Sequence, residues 1–364
     1  MFLGRFGSIN SLDKTRKKRD WKQILDGGEL PSADTLGRIA ALIDPGALRG
    51  VLVDCYRVLR KNKALPKLGR DLVALVFDGH ESMTSYLRHC PGCLAREVEM
   101  KDGPRVQYYH RFVFTSLVGK DFHIFLDVEP IRAGEGEVVA ARRLYDRVHP
   151  LFSRAYDIVL GDALYLEGPF FQAVIDRKKE VLAVLKREDL NLFEDAEALF
   201  EEMEPLVFNR KERLHRVWDL SGFTSFPTVK CPLRVIKSVE AYWVKRQRTG
   251  KLEEKVTRWM WATTISPERA GTEEVVEVGH SRWDIENQGF NEGVNDYLID
   301  HVYRHEPNAM VVLFLLAMLA MNLFVTFYRR NLKPELRDRY SKLDVSRMVQ
   351  ATLYAGLVSD LAPG

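Results

Sequence analysis

The sequence predicts an α/β fold, a mixed sheet flanked by helices, with an inserted β-rich subdomain and a helical N-terminal region. Three observations predict it. A continuous apolar run at 72–77 and the largely apolar stretch 156–160 suit strands buried on both faces. Segments of helical periodicity, above all 136–152, lie among them. The stretches 233–246 and 256–265 alternate apolar and polar residues, as partly exposed strands do.

Residues 1–70 read as basic and helical, with 15 Lys or Arg against 7 Asp or Glu. Ser32-Ala33-Asp34 starts one helix, Pro45-Gly46 closes it, and a second runs through Leu48, Val51, Leu52, Cys55, Val58 and Leu59. Two such helices suit a DNA-contacting module or a helical cap equally well. The strand at 72–77 then ends in Asp78-Gly79-His80-Glu81, and 108–117 with 122–128 reads as a hairpin. The helix at 136–152 leads to a strand at 156–160 that ends in Gly161-Asp162, then a helix near 169–178 and a strand at 181–185. Three strands followed by alternating helix and strand is the order of an RNase H-like fold. In that order the first and fourth strands are neighbours, so Asp78 and Asp162 are expected to meet.

The expected division is 1–70, an N-terminal DNA-binding region; 71–186, the first part of a catalytic core; 187–270, the inserted β-rich subdomain; 271–330, the second part of the core; and 331–364, a helical tail. In the insertion, Lys245, Arg246, Arg248 and Lys251 form a basic hairpin tip, near Tyr242, Trp243, Trp259 and Trp261. Interleaved cations and aromatics can hold a DNA strand, and they are also good cross-strand pairs.

The 364 residues are 46% hydrophobic with a net charge of +3, enough for a substantial core and no sign of a disordered tail. Four cysteines argue against a disulfide framework and for a reducing, cytoplasmic setting. The apolar stretch 309–328 is long enough to span a bilayer, but Asn322 and Thr326 within it favour a buried core helix and no membrane.

Arg282 and Glu286 stand four apart on a predicted helix and so project side by side. Alone they would be a surface ion pair worth about 0.2–0.5 kcal/mol. With Asp78 and Asp162, Glu286 completes a set of carboxylates suited to a pair of Mg²⁺ ions, which prefer oxygen ligands and serve phosphoryl transfer. Asp284, Glu277 and Glu292 do not share the face of Arg282.

The blocks Asp78-Gly79-His80-Glu81, Gly161-Asp162-Ala163-Leu164-Tyr165 and Gly279-His280-Ser281-Arg282-Trp283-Asp284-Ile285-Glu286-Asn287 resemble the acidic blocks of bacterial insertion-sequence DDE transposases, in the branch with a β-insertion before the catalytic glutamate. The resemblance covers nearly the whole chain. It implies Mg²⁺-dependent cleavage at transposon ends and strand transfer into target DNA, with Mn²⁺ able to substitute, by a homodimer in a synaptic complex on double-stranded DNA. Asp78, Asp162 and Glu286 would be the catalytic triad and metal ligands. Arg282, Trp283 and His280, with Lys245, Arg246 and Arg248, would contact DNA in a nucleoid-associated complex. The related group has a tyrosine and a lysine where this chain has Gly279 and Gly293, which bears on how the terminal nucleotide is gripped. Trp283 or a tryptophan of the insertion could stack on a base instead. A silent DNA-binding protein and a nuclease without strand transfer are the alternatives.

Cys90-Pro91-Gly92-Cys93 is half of a tetrahedral zinc site, which His89, His110 or His123 could complete. No second Cys-x-x-Cys follows, so the sequence favours a reduced, metal-free pair.

Overall fold

The computed structural model describes residues 2, 8–16, 21–22, 25–65, 67–68, 72–119, 123–246, 250–284 and 304–358. The N-terminal helices are α1 (Ile9–Asp13), α2 (Ala33–Leu42) and α3 (Pro45–Lys61). Ser32 caps α2, which ends at Leu42 with Ile43 as its C-cap, and Asp44 caps α3 with Pro45 in its first turn, so Pro45-Gly46 opens the second helix where it was expected to close the first.

Strands β1 (Ala74–Ser85), β2 (Leu94–Val98), β3 (Arg105–Val118) and β4 (His123–Pro130) come next. Helix α4 (Glu137–Phe152), β5 (Ile158–Gly161), α5 (Gly168–Asp176) and β6 (Glu180–Val184) complete the first half of the core. The insertion holds α6 (Asn191–Glu201), β7 (Leu206–Arg210), β8 (Arg213–Phe223), β9 (Leu233–Lys245) and β10 (Leu252–Thr263). The remainder is helical: α7 (Thr272–Asp284), α8 (Pro307–Arg330), α9 (Pro334–Arg339) and α10 (Lys342–Val358).

All ten strands join one mixed sheet. Its core order is β4-β3-β1-β5-β6, with β3 antiparallel to β1 and β4, and β5 parallel to β1 and β6. This is an RNase H-like fold. Strand β10 pairs antiparallel with β6 through Trp261, Ala262 and Thr263, so the inserted strands extend the same sheet. The expected end of β1 at Asp78 is corrected: β1 continues to Ser85, because β3 offers it a partner as far as Tyr108. What ends near Asp78 is the pairing with the shorter β5.

Each face of the sheet is covered, which is why the central strands are apolar throughout. Ala74, Val76, Ile158, Leu160, Leu182 and Val184 share one core with α7 and α8. Leu75, Phe77, Val159, Val181 and Ala183 share the other with α4 and α5. Helix α8 is long and apolar enough to cross a membrane, yet most of it is buried within the fold. It packs against β4, α2 and α3. Buried Asn322 on α8 accepts from Phe125 N–H (2.9 Å) and donates to Phe125 C=O (2.7 Å), pairing the backbone of β4 where its ladder with β3 shifts register.

Candidate active site

The parallel pairing of β1 with β5 runs as far as Val76↔Leu160, and Asp78 and Asp162 each stand two residues beyond that last pair. Strand alternation places both on the face of Val76 and Leu160, the face that α7 covers. Asp162 follows β5 directly and caps the 3₁₀ turn Ala163–Tyr165, its Oδ1 accepting from Leu164 N–H at 2.8 Å. Asp78 and Asp162 both act on the phenol of buried Tyr165, whose pKa is driven up by burial and by the negative charge of Glu137, Asp78 and Asp162.

Glu137, at the start of α4, is a buried carboxylate that the sequence reading missed. Its Oε1 accepts from Tyr165 O–H (3.0 Å) and its Oε2 from Arg111 (2.9 Å). Burial raises its pKa, with the charge of Asp162 adding, against Tyr165 and Arg111, which pull it down. Gly79 explains how it fits: a Cβ there would lie 2.0 Å from Glu137 Oε2. Glu137 therefore braces the strand beside Asp78. A lone glutamate in a first helical turn is ordinarily a partner for the helix dipole, so no sequence signal separated this one.

Asp162, Ala163, Val184, Lys186, Trp259, Gly279, His280 and Arg282 line a cleft of about 320 Å³. Lys186 was also missed, although it lies just beyond a buried strand, as Asp162 does. Predicted DNA contacts Arg282 and His280 reach this cleft together. His280 Nε2–H donates to Glu240 at 2.5 Å, and its ring stands edge-on to the stacked pair Trp259 and Trp261. Burial works against ionisation of Glu240, but hydrogen bonds from His280 and Arg213 outweigh it and hold the pKa below the usual carboxylate range. Gly279 packs against Trp261, where a Cβ would come within 2.5 Å of the indole, so no larger residue fits at this point of α7.

Glu286, Arg248 and Gly293 lie outside the described residues, as does the side chain of Trp283. Lys245 ends β9 away from the cleft, and Arg246 Nε donates to Glu253 at 2.7 Å across the hairpin. Trp243, on the same strand, is 66% exposed.

A second cluster lies elsewhere on the fold. Cys90, Cys93, His110 and His305 bring one ligand atom each to within 4.8 Å of one another, a set that could hold a metal ion. Of the three histidines expected near the cysteines, only His110 is there; His89 stacks on Tyr108 and His123 lies buried against Phe125. His305 was missed because 195 residues separate it from His110.

A family model described as a transposase DDE domain matches residues 100–323, more than half of the chain. The chain belongs to the DDE transposase family. Comparison with curated proteins finds no match. The family match includes Asp162 and the position of Glu286, while Asp78 precedes it. For this DDE transposase domain, which uses divalent metal ions, the β1–β5 junction and the cleft beneath α7 form the candidate active site.

Proposed function

We propose that this transposase cuts DNA at the ends of a mobile element and joins them to a second duplex, with Asp78, Asp162 and Glu286 as its catalytic carboxylates. The observation that supports the reading is that Asp78 and Asp162 each stand two residues beyond the last β1–β5 pair, Val76↔Leu160, with Asp162 lining a cleft that also bears Lys186 and Arg282. The donor set fits a hard divalent ion: Asp162 offers a carboxylate to the cleft, the charges of Asp78 and Asp162 both act on Tyr165, and the cleft lining holds no thiolate. Asp78, Asp162 and Glu286 would hold Mg²⁺, or Mn²⁺ in its place. When bound, the metal lowers the pKa of an attacking water or hydroxyl and neutralises charge at the phosphate.

The chain's own residues position the DNA. Lys186 and Arg282 supply cations at the cleft for backbone phosphates. Trp259 offers an aromatic surface in the same lining, and the Glu240–His280 bond fixes the imidazole beside it. Glu137 keeps β1 in place through Gly79, Tyr165 and Arg111. The active form is read as a homodimer on double-stranded DNA, with exposed Trp243 and the basic hairpin adding contacts away from the cleft.

Asp78→Asn, Asp162→Asn and Glu286→Gln should each abolish Mg²⁺-dependent cleavage of end DNA while retaining duplex binding in a gel-shift assay. Full cleavage by any one variant would remove that residue from the triad. A pre-cut end with a free 3′-hydroxyl should be joined to a second duplex; hydrolysis without joining would instead identify a nuclease.

A further inference from the structure

The cluster outside the active site joins three distant parts of the chain. Cys90 and Cys93 lie in the connection between β1 and β2, His110 on β3, and His305 just before α8. The cysteines are unpaired, with their sulfurs 3.8 Å apart, far beyond the roughly 2.05 Å of a disulfide.

Five of the six separations lie close to the edges of a tetrahedron, and all four atoms fall within 4.8 Å of one another. Zn–S bonds of about 2.3 Å and Zn–N bonds of about 2.0–2.1 Å at tetrahedral angles give S···S near 3.8 Å, S···N near 3.5 Å and N···N near 3.4 Å. The observed values are 3.8 Å for Cys90–Cys93, 3.4 and 3.2 Å from His110 Nε2 to the two sulfurs, 3.1 Å for Cys93–His305 and 3.2 Å for His110–His305. His110 Nε2 thus faces three heteroatoms, although one ring nitrogen can engage only one of them by hydrogen bonding. A shared cation satisfies all four groups at once.

The surroundings hold the ligands in place. Cys93 N–H donates to Cys90 C=O at 3.0 Å, and Cys90 N–H to Cys93 Sγ at 3.2 Å, a turn that directs both sulfurs to one side and supplies a donor to a thiolate. Gly92 permits the close approach of the last segment, since a Cβ there would lie 3.2 Å from Pro307 and 3.7 Å from the His110 ring. Glu306 caps α8 by accepting from Asn308 and Ala309 N–H, and Asn308 donates to the carbonyls of Ala41 and Ile43, which fixes the backbone beside His305.

We propose that Cys90, Cys93, His110 and His305 bind a structural Zn²⁺ ion. Binding displaces the two thiol protons, so two thiolates and two neutral imidazoles enclose the ion and leave no position open for substrate. The ion would clamp the start of α8 to β3. In sequence, the stretch bearing Glu286 lies between the end of α7 and this clamp, which gives the metal a mechanical role separate from the carboxylate site.

The test uses the full-length protein, purified with a phosphine reductant and without added metal. Elemental analysis should find about one zinc ion per chain, and cobalt exchange should give tetrahedral d–d bands with thiolate charge transfer. Cys93→Ser and His305→Asn should each weaken retention against a competing chelator by more than the roughly 10–100-fold that loss of an outer partner costs. Cys55→Ser, Cys231→Ser and the Asp78→Asn/Asp162→Asn double variant should keep the ion. Wild-type protein with no zinc and no cobalt spectrum overturns the proposal without reliance on any variant. Unchanged retention in Cys93→Ser and His305→Asn, or loss in the Asp78/Asp162 double variant, overturns it as well.

Discussion

The indole of Trp261 occupies the space that a side chain on Gly279 would need, with only 2.5 Å between Cε2 and a Cβ at that position. Trp261 is fully buried and stacked on Trp259, so it cannot yield cheaply. Gly279 is therefore a packing requirement of α7, the helix that brings Arg282 to the cleft.

Gly279→Ala should destabilise the protein despite the higher helix propensity of alanine. Overpacking costs about 1–3 kcal/mol, against about 1 kcal/mol regained from propensity. The expected result is a lower melting temperature and altered tryptophan fluorescence. An unchanged or higher melting temperature would show that α7 can move away from the sheet at little cost.

Glu137→Gln should impair cleavage more than DNA binding. The amide presents an N–H₂ group to Arg111 or Tyr165, both of which donate to the carboxylate, so one of the two bonds is lost. A buried bond of this kind is worth about 1.5–3 kcal/mol when one partner is charged. Cleavage rates and gel shifts on one end duplex separate the two effects, and a parallel loss of binding would contradict the bracing role.

Asn322→Leu should be destabilising although leucine suits an apolar helix. It leaves both the N–H and C=O of Phe125 without their present partner. Each unpaired buried group costs about 1–3 kcal/mol. Urea denaturation should show a reduced midpoint; an unaffected midpoint would mean that β4 does not depend on α8 for its pairing.

His123 predicts a pH dependence. Burial, with the charge of Lys342 adding, pushes its pKa down from 6.5 to about 3. Below pH 6.5 the unfolded chain takes up a proton that the folded protein does not, so stability is present above that pH and is lost as pH falls toward the folded value. The wild type should lose about 1.2 kcal/mol more than His123→Gln between pH 6 and 5. Equal slopes in urea titrations at the two pH values would exclude the buried imidazole as the source.

The core strands and helices were legible because their signals are local. The apolar runs at 72–77 and 156–160 and the helical pattern of 136–152 correspond to β1, β5 and α4. Strands β2 and β7 were not legible: each has five residues, all partly or fully exposed, and gives no alternation. Strand order then implied that Asp78 and Asp162 are neighbours, and each stands two residues beyond the last pair of β1 with β5.

By itself, the sequence determined the aspartates that follow the apolar core runs, the helix that carries Arg282 and the close pair Cys90 and Cys93, since each depends on residue type and short-range spacing. Tertiary structure alone decided that Glu137 braces Gly79, that Trp261 leaves no room at 279, and that His305 joins His110. Those relationships join residues well separated along the chain, by as many as the 195 positions between the two histidines, and sheet order and helix packing bring them together where local periodicity has no influence.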